Sequence, residues 1–164
     1  MAKAPAEGNA RLAVIRLRSS IGLRHEAEET LGYLNLTRPH HVVIVDKRPA
    51  YLGMLQKAKD AITWGEIDTP TLARLLRVRG RLEGNRPLSD EYVAKYTSYK
   101  TIDELAAAII GFKVELSSIP KLKKVFRLHP PSKGYHGSTK RSVQQSGELG
   151  YRGAAVNELI TRMS

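Results

Sequence analysis

Val42-Val43-Ile44-Val45 puts four β-branched residues in a row, with Pro39 before them and Pro49 after. Such side chains are stiff at χ1 and fit a strand better than a helix. A short β-branched run bounded by breakers predicts a buried strand, which obliges the rest of the chain to cover it. The segment ahead of it, Arg11 to Arg18 (RLAVIRLR), alternates. Ala13, Ile15 and Leu17 fall on one face of a predicted strand, and Arg16 and Arg18 on the other. Between the two strands, Arg24 to Leu34 predicts a helix with Ala27, Leu31 and Leu34 on one stripe and Asn35 as its stop. Pro49 opens a second helix, tolerated at the first turn because its missing N–H has no helical partner there. Tyr51, Met54, Leu55 and Ala58 follow at helical spacing. The order is strand–helix–strand–helix, with a right-handed connection expected between the strands.

From Ile67 the pattern is helical. Thr69-Pro70 starts a helix carrying Leu72, Leu75 and Leu76 and ending at Gly80. Ser89 is placed to cap a short helix, with Leu88 stapled onto Val93. Thr101-Ile-Asp-Glu104 is a capping-box pattern ahead of Leu105, Ile109 and Ile110, closed by Gly111. Val125 to Leu128 predicts a third strand, stopped by Pro130-Pro131, and Val156, Leu159, Ile160 and Met163 predict a final amphipathic helix. The expected class is α+β with a three-stranded sheet. Residues 1–10 form a flexible lead, 11–66 and 120–130 an αβ core, 67–119 a helical insertion, and 131–164 a basic tail with a C-terminal helix.

Charge narrows the function. The 164 residues carry 27 Lys+Arg against 16 Asp+Glu, a net +11, which calls for a polyanionic partner. No cysteine is present, so disulfides and thiolate metal sites are excluded. No apolar stretch has the length of a membrane span, and the start of the chain lacks the apolar centre of a signal peptide, so an intracellular protein is expected. Enzyme signatures are missing. In Gly80 to Arg86 (GRLEGNR) the glycines have the wrong spacing for a phosphate loop and follow a helix. His40 and His41 are adjacent and cannot face one metal from a strand; His129 and His136 are separated by two prolines. Asp46, Asp60, Glu66 and Asp68 fall at element ends, where capping and solvation account for them. No metal, cofactor or small-molecule substrate is expected.

The basic residues fall in groups. Between Leu116 and Gly147 there is no acid, yet Lys121, Lys123, Lys124, Arg127, Lys133, Lys140 and Arg141 lie there. A second group is Arg74, Arg77, Arg79, Arg81 and Arg86. Arg74 and Arg77 point away from the leucine face of their helix, whereas Arg79 projects nearer to it and must reach out or bind something. Solubility alone asks for mixed signs, not acid-free tracts. Phe126 to Arg141 (FRLHPPSKGYHGSTKR) is the extreme case: four Lys/Arg, two His and, after the prolines, no apolar period. Such a segment reads as one that orders on a polyanion. Its cations neutralise phosphates, Gly134 and Gly137 permit close approach, and Tyr135 and His136 offer rings for an unstacked base. The other reading of Tyr135 is packing on the protein body.

Three separated stretches carry a resemblance: Arg48 to Asp68 (RPAYLGMLQKAKDAITWGEID), Arg77 to Val93 (RVRGRLEGNRPLSDEYV), and Phe126 to Arg141 followed by Gly147 to Gly153 (GELGYRG). In that order they resemble the large-subunit ribosomal protein L-thirty family, in its long archaeal form related to eukaryotic L-seven. The likeness runs from about residue 10 to the C-terminus; Met1 to Ala10 is longer than the usual archaeal start. The resemblance implies two helices on one face of a small sheet, a helical insertion, and basic loops on RNA. The expected partners are large-subunit ribosomal RNA and neighbouring ribosomal proteins, in the cytoplasm. The residues expected at RNA are Arg16, Arg18, Tyr51, Lys57, Arg74, Arg77, Arg79, Arg81, Arg86, Arg127, His129, Lys133, Tyr135, His136, Lys140, Arg141, Tyr151 and Arg152. Two rivals differ in class. A non-ribosomal RNA-processing or packaging protein would form complexes outside ribosomes, and a small ligand-binding regulatory domain would need a convergent polar pocket.

Overall fold

The alternating segment forms β1 (Arg11–Arg16), which is hydrogen-bonded on both sides, to β2 (His41–Asp46) and to β3 (Ile62–Glu66). The computed structural model describes residues 10–164, so the lead expected over residues 1–10 lies, except for Ala10, outside the described residues. Three more strands complete the sheet: β4 (Val125–Arg127), β5 (Ser138–Ser142) and β6 (Gly147–Tyr151). The order is β4-β2-β1-β3-β6-β5. The α+β class holds, with six strands where three were expected.

The right-handed crossover does not occur, because β1 and β2 are antiparallel neighbours, Ile15 opposite Val42 and Arg11 opposite Asp46. The handedness rule concerns parallel strands only. The helix α1 (His25–Tyr33) travels out and returns to the same end of the sheet, where the His40 amide donates to the Arg16 carbonyl at 2.7 Å. Asn35 ends that helix in a left-handed conformation, φ 59°, which its short side chain tolerates.

Both faces of the sheet are covered. Leu12 and Val14 of β1, Val43 of β2 and Ile62 and Trp64 of β3 pack with Leu31 and Leu34 from α1 and its end, and with Leu55 and Ala58 from α2 (Pro49–Lys57) and its end. These are the two helices expected on one face. The opposite face, with Ala13, Ile15, Val42 and Phe126, packs against α3 (Thr69–Arg79), α5 (Ile102–Ile110) and α6 (Ala155–Met163), with Val93 of α4 (Asp90–Tyr96) in the same cluster. Val156, Leu159, Ile160 and Met163 are all buried there, as their spacing predicts.

The helix signals are realised locally. Pro49 lies in the first turn of α2, Gly80 follows α3, and the Ser89 hydroxyl accepts from the Tyr92 amide. Thr101 accepts from the Glu104 amide, but Glu104 reaches back to the Lys100 amide at 3.0 Å instead of completing the reciprocal pair. Strand β3 escapes the local pattern because it contains a glycine. Its reason is distant: a Cβ at Gly65 would lie 1.9 Å from the carbonyl oxygen of Gly153. The chain beyond β6 crosses β3 so closely that only glycine fits.

Candidate nucleic-acid interface

Strand β5 ends beside the helical layer, and a groove of about 920 Å³ opens between them. Its walls are the turn after β1 (Arg18, Gly22, Leu23, Arg24), the end of α2 (Lys57, Lys59, Asp60), and the β5–β6 edge (Lys140, Arg141, Tyr151). Six cations and two acids, Glu26 and Asp60, line it. Arg18 is steered by a 3.1 Å hydrogen bond to the Asp60 carbonyl oxygen. Tyr151 remains 53% exposed while its hydroxyl donates to Glu66 at 2.8 Å. That bond pushes the phenol pKa up, and Lys47 at 3.0 Å helps to hold Glu66 ionised against burial. Five residues expected at RNA thus meet here: Arg18, Lys57, Lys140, Arg141 and Tyr151. Sequence reasoning missed Arg24 and Lys59, although Lys59 is two residues from Lys57 and Arg24 is the first residue of the predicted helix.

The two basic groups converge at a second place. Arg81 bridges Pro87, Leu82 bridges Leu122, and the Lys123 amide donates to the Arg81 carbonyl at 2.9 Å. Arg81, Arg86, Lys121 and Lys123 are carried on this small ribbon. Upstream, Arg74 and Arg77 stand on the outer side of α3, bound to the Ser164 hydroxyl at 2.9 Å and to Asp103 at 2.8 Å. Arg79 is half-buried, and its Nε is enclosed without a hydrogen-bond partner.

Two expected contacts lie inside. Arg16 is 2% exposed: the face opposite Ala13 and Ile15 is covered by helices, not open. Its guanidinium donates to the Leu36 carbonyl at 2.6 Å, to the Arg18 carbonyl at 2.8 Å and to the Ser20 hydroxyl at 2.9 Å. Arg152 pairs with buried Glu148 and donates to the Thr63 hydroxyl at 2.9 Å. Burial pushes the Glu148 carboxyl up, but the Arg152 bond and the Gly137 amide at 2.8 Å outweigh it and hold the pKa low. Asp46 is likewise no solvated strand end, since it is buried between Arg11 and Arg48. The guanidinium of Arg11 also lies 4.3 Å over the Phe112 ring.

The segment expected to order on a polyanion has a seat on the body. The Ser132 amide donates to the Arg162 carbonyl at 2.9 Å, and the Arg162 side chain donates to the carbonyls of Ser132 and Gly134. Tyr135 is half-buried against the larger apolar cluster, its hydroxyl 3.2 Å from His40 Nδ1, and burial pushes its pKa up. Ser138–Ser142 then pairs with β6 as the sheet's edge strand. Lys133 and His136 project outward from this seat, and His129 and Arg127 are exposed beside it. Tyr51 lies apart, in a smaller cleft with Arg48 and Lys124. Among the described residues no group of His, Asp and Glu is arranged to hold a metal ion, and no helix is long and apolar enough to cross a membrane.

A family model described as ribosomal protein L30p/L7e matches residues 12–62. The large ribosomal subunit protein uL30 of Methanopyrus kandleri is 50% identical over 148 residues, 90% of this chain and 99% of that protein. The chain belongs to the uL30 family. The uL30 protein of Staphylothermus marinus is 49% identical over 156 residues, covering 92% of this chain and 96% of its own length. That of Archaeoglobus fulgidus is 46% identical over 151 residues, covering 92% and 98%. Within this uL30 fold the family-model match takes in β1 through α2. The β5–β6 wall of the groove lies beyond it.

Proposed function

We propose that the chain is a non-catalytic structural constituent of the large ribosomal subunit, bound to ribosomal RNA in the cytoplasm. The observation that carries this reading is the groove, where six cations from three separate elements converge. Cations gathered on a folded frame attract phosphates and release their counterions, giving affinity without reading sequence. The ribbon of Arg81, Arg86, Lys121 and Lys123 offers a second phosphate surface, so one rigid body would hold two RNA segments. Arg18, Lys57, Lys140, Arg141 and Tyr151 are the groove's contacts. Arg74, Arg77, Arg79, Arg127, His129, Lys133 and His136 supplement them, and Arg16 and Arg152 act through the backbone they hold. Neighbouring ribosomal proteins are the second class of partner. A non-ribosomal RNA-processing role is not favoured, because the likeness to large-subunit proteins extends over nearly their whole length.

Two measurements test this. The protein should sediment with the large subunit through a high-salt wash; loss into a separate soluble complex would refute the assignment. Affinity for large-subunit rRNA should fall with salt at a log–log slope of roughly 0.7 to 0.9 per phosphate neutralised. Lys140→Ala with Arg141→Ala should flatten that slope by about one to two. An unchanged slope removes the groove from the contact surface.

A further inference from the structure

The turn between β1 and α1 places Ile21 at its tip, 86% exposed, the most exposed large apolar side chain among the described residues. A lone exposed isoleucine ordinarily calls for no explanation. This one sits between Arg18 on one side and Gly22, Leu23 and Arg24 on the other, all of which line the basic groove. The turn is also held from beneath. Buried Arg16 spends two of its hydrogen bonds on it, to the Arg18 carbonyl at 2.8 Å and the Ser20 hydroxyl at 2.9 Å. The Leu23 amide closes it on the Ser20 carbonyl at 3.2 Å, and Gly22 turns the chain at φ 77°. Burying a guanidinium lowers its pKa and is costly, so its use to hold a surface turn needs a reason. A preorganised turn that presents an apolar tip between two arginines supplies one.

We propose that Ile21 is an apolar wedge that enters an RNA held in the basic groove, either between two base steps or against an unstacked base. Arg18 and Arg24 would take the flanking phosphates, and Arg16 is a positioning residue that holds the turn at a fixed height. Apolar side chains inserted beside bases exchange stacking for a bent or opened site that wraps more protein. The flanking cations favour a nucleic acid over a protein as the occupant of this tip. This inference rests on the RNA reading of the groove.

The test uses the full chain and large-subunit rRNA over a salt series. Ile21→Ala should weaken binding roughly fiftyfold, the loss of about three buried methyl or methylene groups, without changing the salt slope or the melting temperature. Arg16→Met should reproduce part of that loss through the turn; because it also removes the bond to the Leu36 carbonyl and so lowers stability, its melt is measured alongside. Lys140→Ala with Arg141→Ala should instead flatten the slope. Wild-type affinity for Ile21→Ala, with the lysine–arginine variant weakened, overturns the wedge and leaves the RNA groove standing. Wild-type behaviour of both overturns the wedge and the groove together. If Ile21→Ala binds naked rRNA normally but fails to enter the assembled subunit, the tip docks on a protein and the wedge is again wrong.

Discussion

The centre of the sheet and its C-terminal edge are built by different means. Strands β1, β2 and β3 are held by apolar layers on both faces, with Ile15 and Leu55 fully buried on opposite sides. At the β6–β5 edge, Leu149 is the apolar anchor, and charged and hydroxyl groups do the rest: Arg152 on Glu148 and Thr63, Glu148 on the Gly137 amide. Apolar burial is non-directional and gives stability. Paired buried charges cost desolvation and contribute geometry instead. The basic groove sits where these regimes meet, with its position set by the polar edge and its rigidity by the core.

The largest effects should come from the core. Ile15→Ala and Leu55→Ala should each destabilise the fold by roughly 2 to 5 kcal/mol in denaturant melts. Because the residues belong to separate clusters on opposite faces, their effects should add. Strong non-additivity would mean that the two layers are coupled through the strand between them.

Next comes the polar edge. Glu148→Ala strands the Arg152 charge and should cost about 3 kcal/mol, with amide exchange rising first in β5 and β6. Glu148→Met with Arg152→Leu should recover much of that stability. If that apolar pair also keeps the wild-type salt slope of RNA binding, the charges are not needed to position the edge, and apolar burial suffices there as it does at the sheet centre.

The same contrast marks what could be read in advance. Helix signals at Pro49, Gly80, Ser89 and Thr101 are local, and each appears in the structure. Strands β3, β5 and β6 depend on distant partners: Gly65 is explained only by Gly153, and Gly137 only by the backbone of Ser146 and Gly147, which a Cβ would strike. The alternation of β1 separated its faces correctly, but nothing within it says that helices cover both, so Arg16 read as exposed. At the groove, charge runs identified Lys140 and Arg141, while the role of Arg24 needed the return of β5 to the turn after β1.

A smaller effect concerns acid. His41 sits buried in β2 with its Nδ1 unpartnered, and burial, then the nearby Arg127, Arg38 and Arg16, lower its pKa; burial alone lowers that of His40. An unfolded histidine takes its proton near pH 6.5. Above that value both states are neutral and the fold keeps its full stability. As pH falls below about 6.5 the unfolded chain protonates first, so stability declines until the folded pKa values are reached. His41→Gln should flatten this decline in melts between pH 7 and 5. An unchanged decline would assign it to other groups.

The smallest effect concerns Tyr135, where the two regimes touch in one side chain: a ring on the apolar cluster and a hydroxyl 3.2 Å from His40 Nδ1. Tyr135→Phe keeps the ring and removes the bond, so it should cost only roughly 0.5 to 1.5 kcal/mol. Tyr135→Ala removes the packing as well and should cost more, with rRNA affinity unchanged at saturating folded protein. Were the ring instead a base platform, the order would reverse: alanine would weaken binding by roughly 1 to 3 kcal/mol and leave the melting temperature alone. Amide exchange separates the cases independently. The Gly134 and Gly137 amides donate to the Pro131 carbonyl and to Glu148, so they should be protected before RNA is added. Rapid exchange at both in the free protein would mean that RNA, and not the polar lock on Glu148, orders this edge.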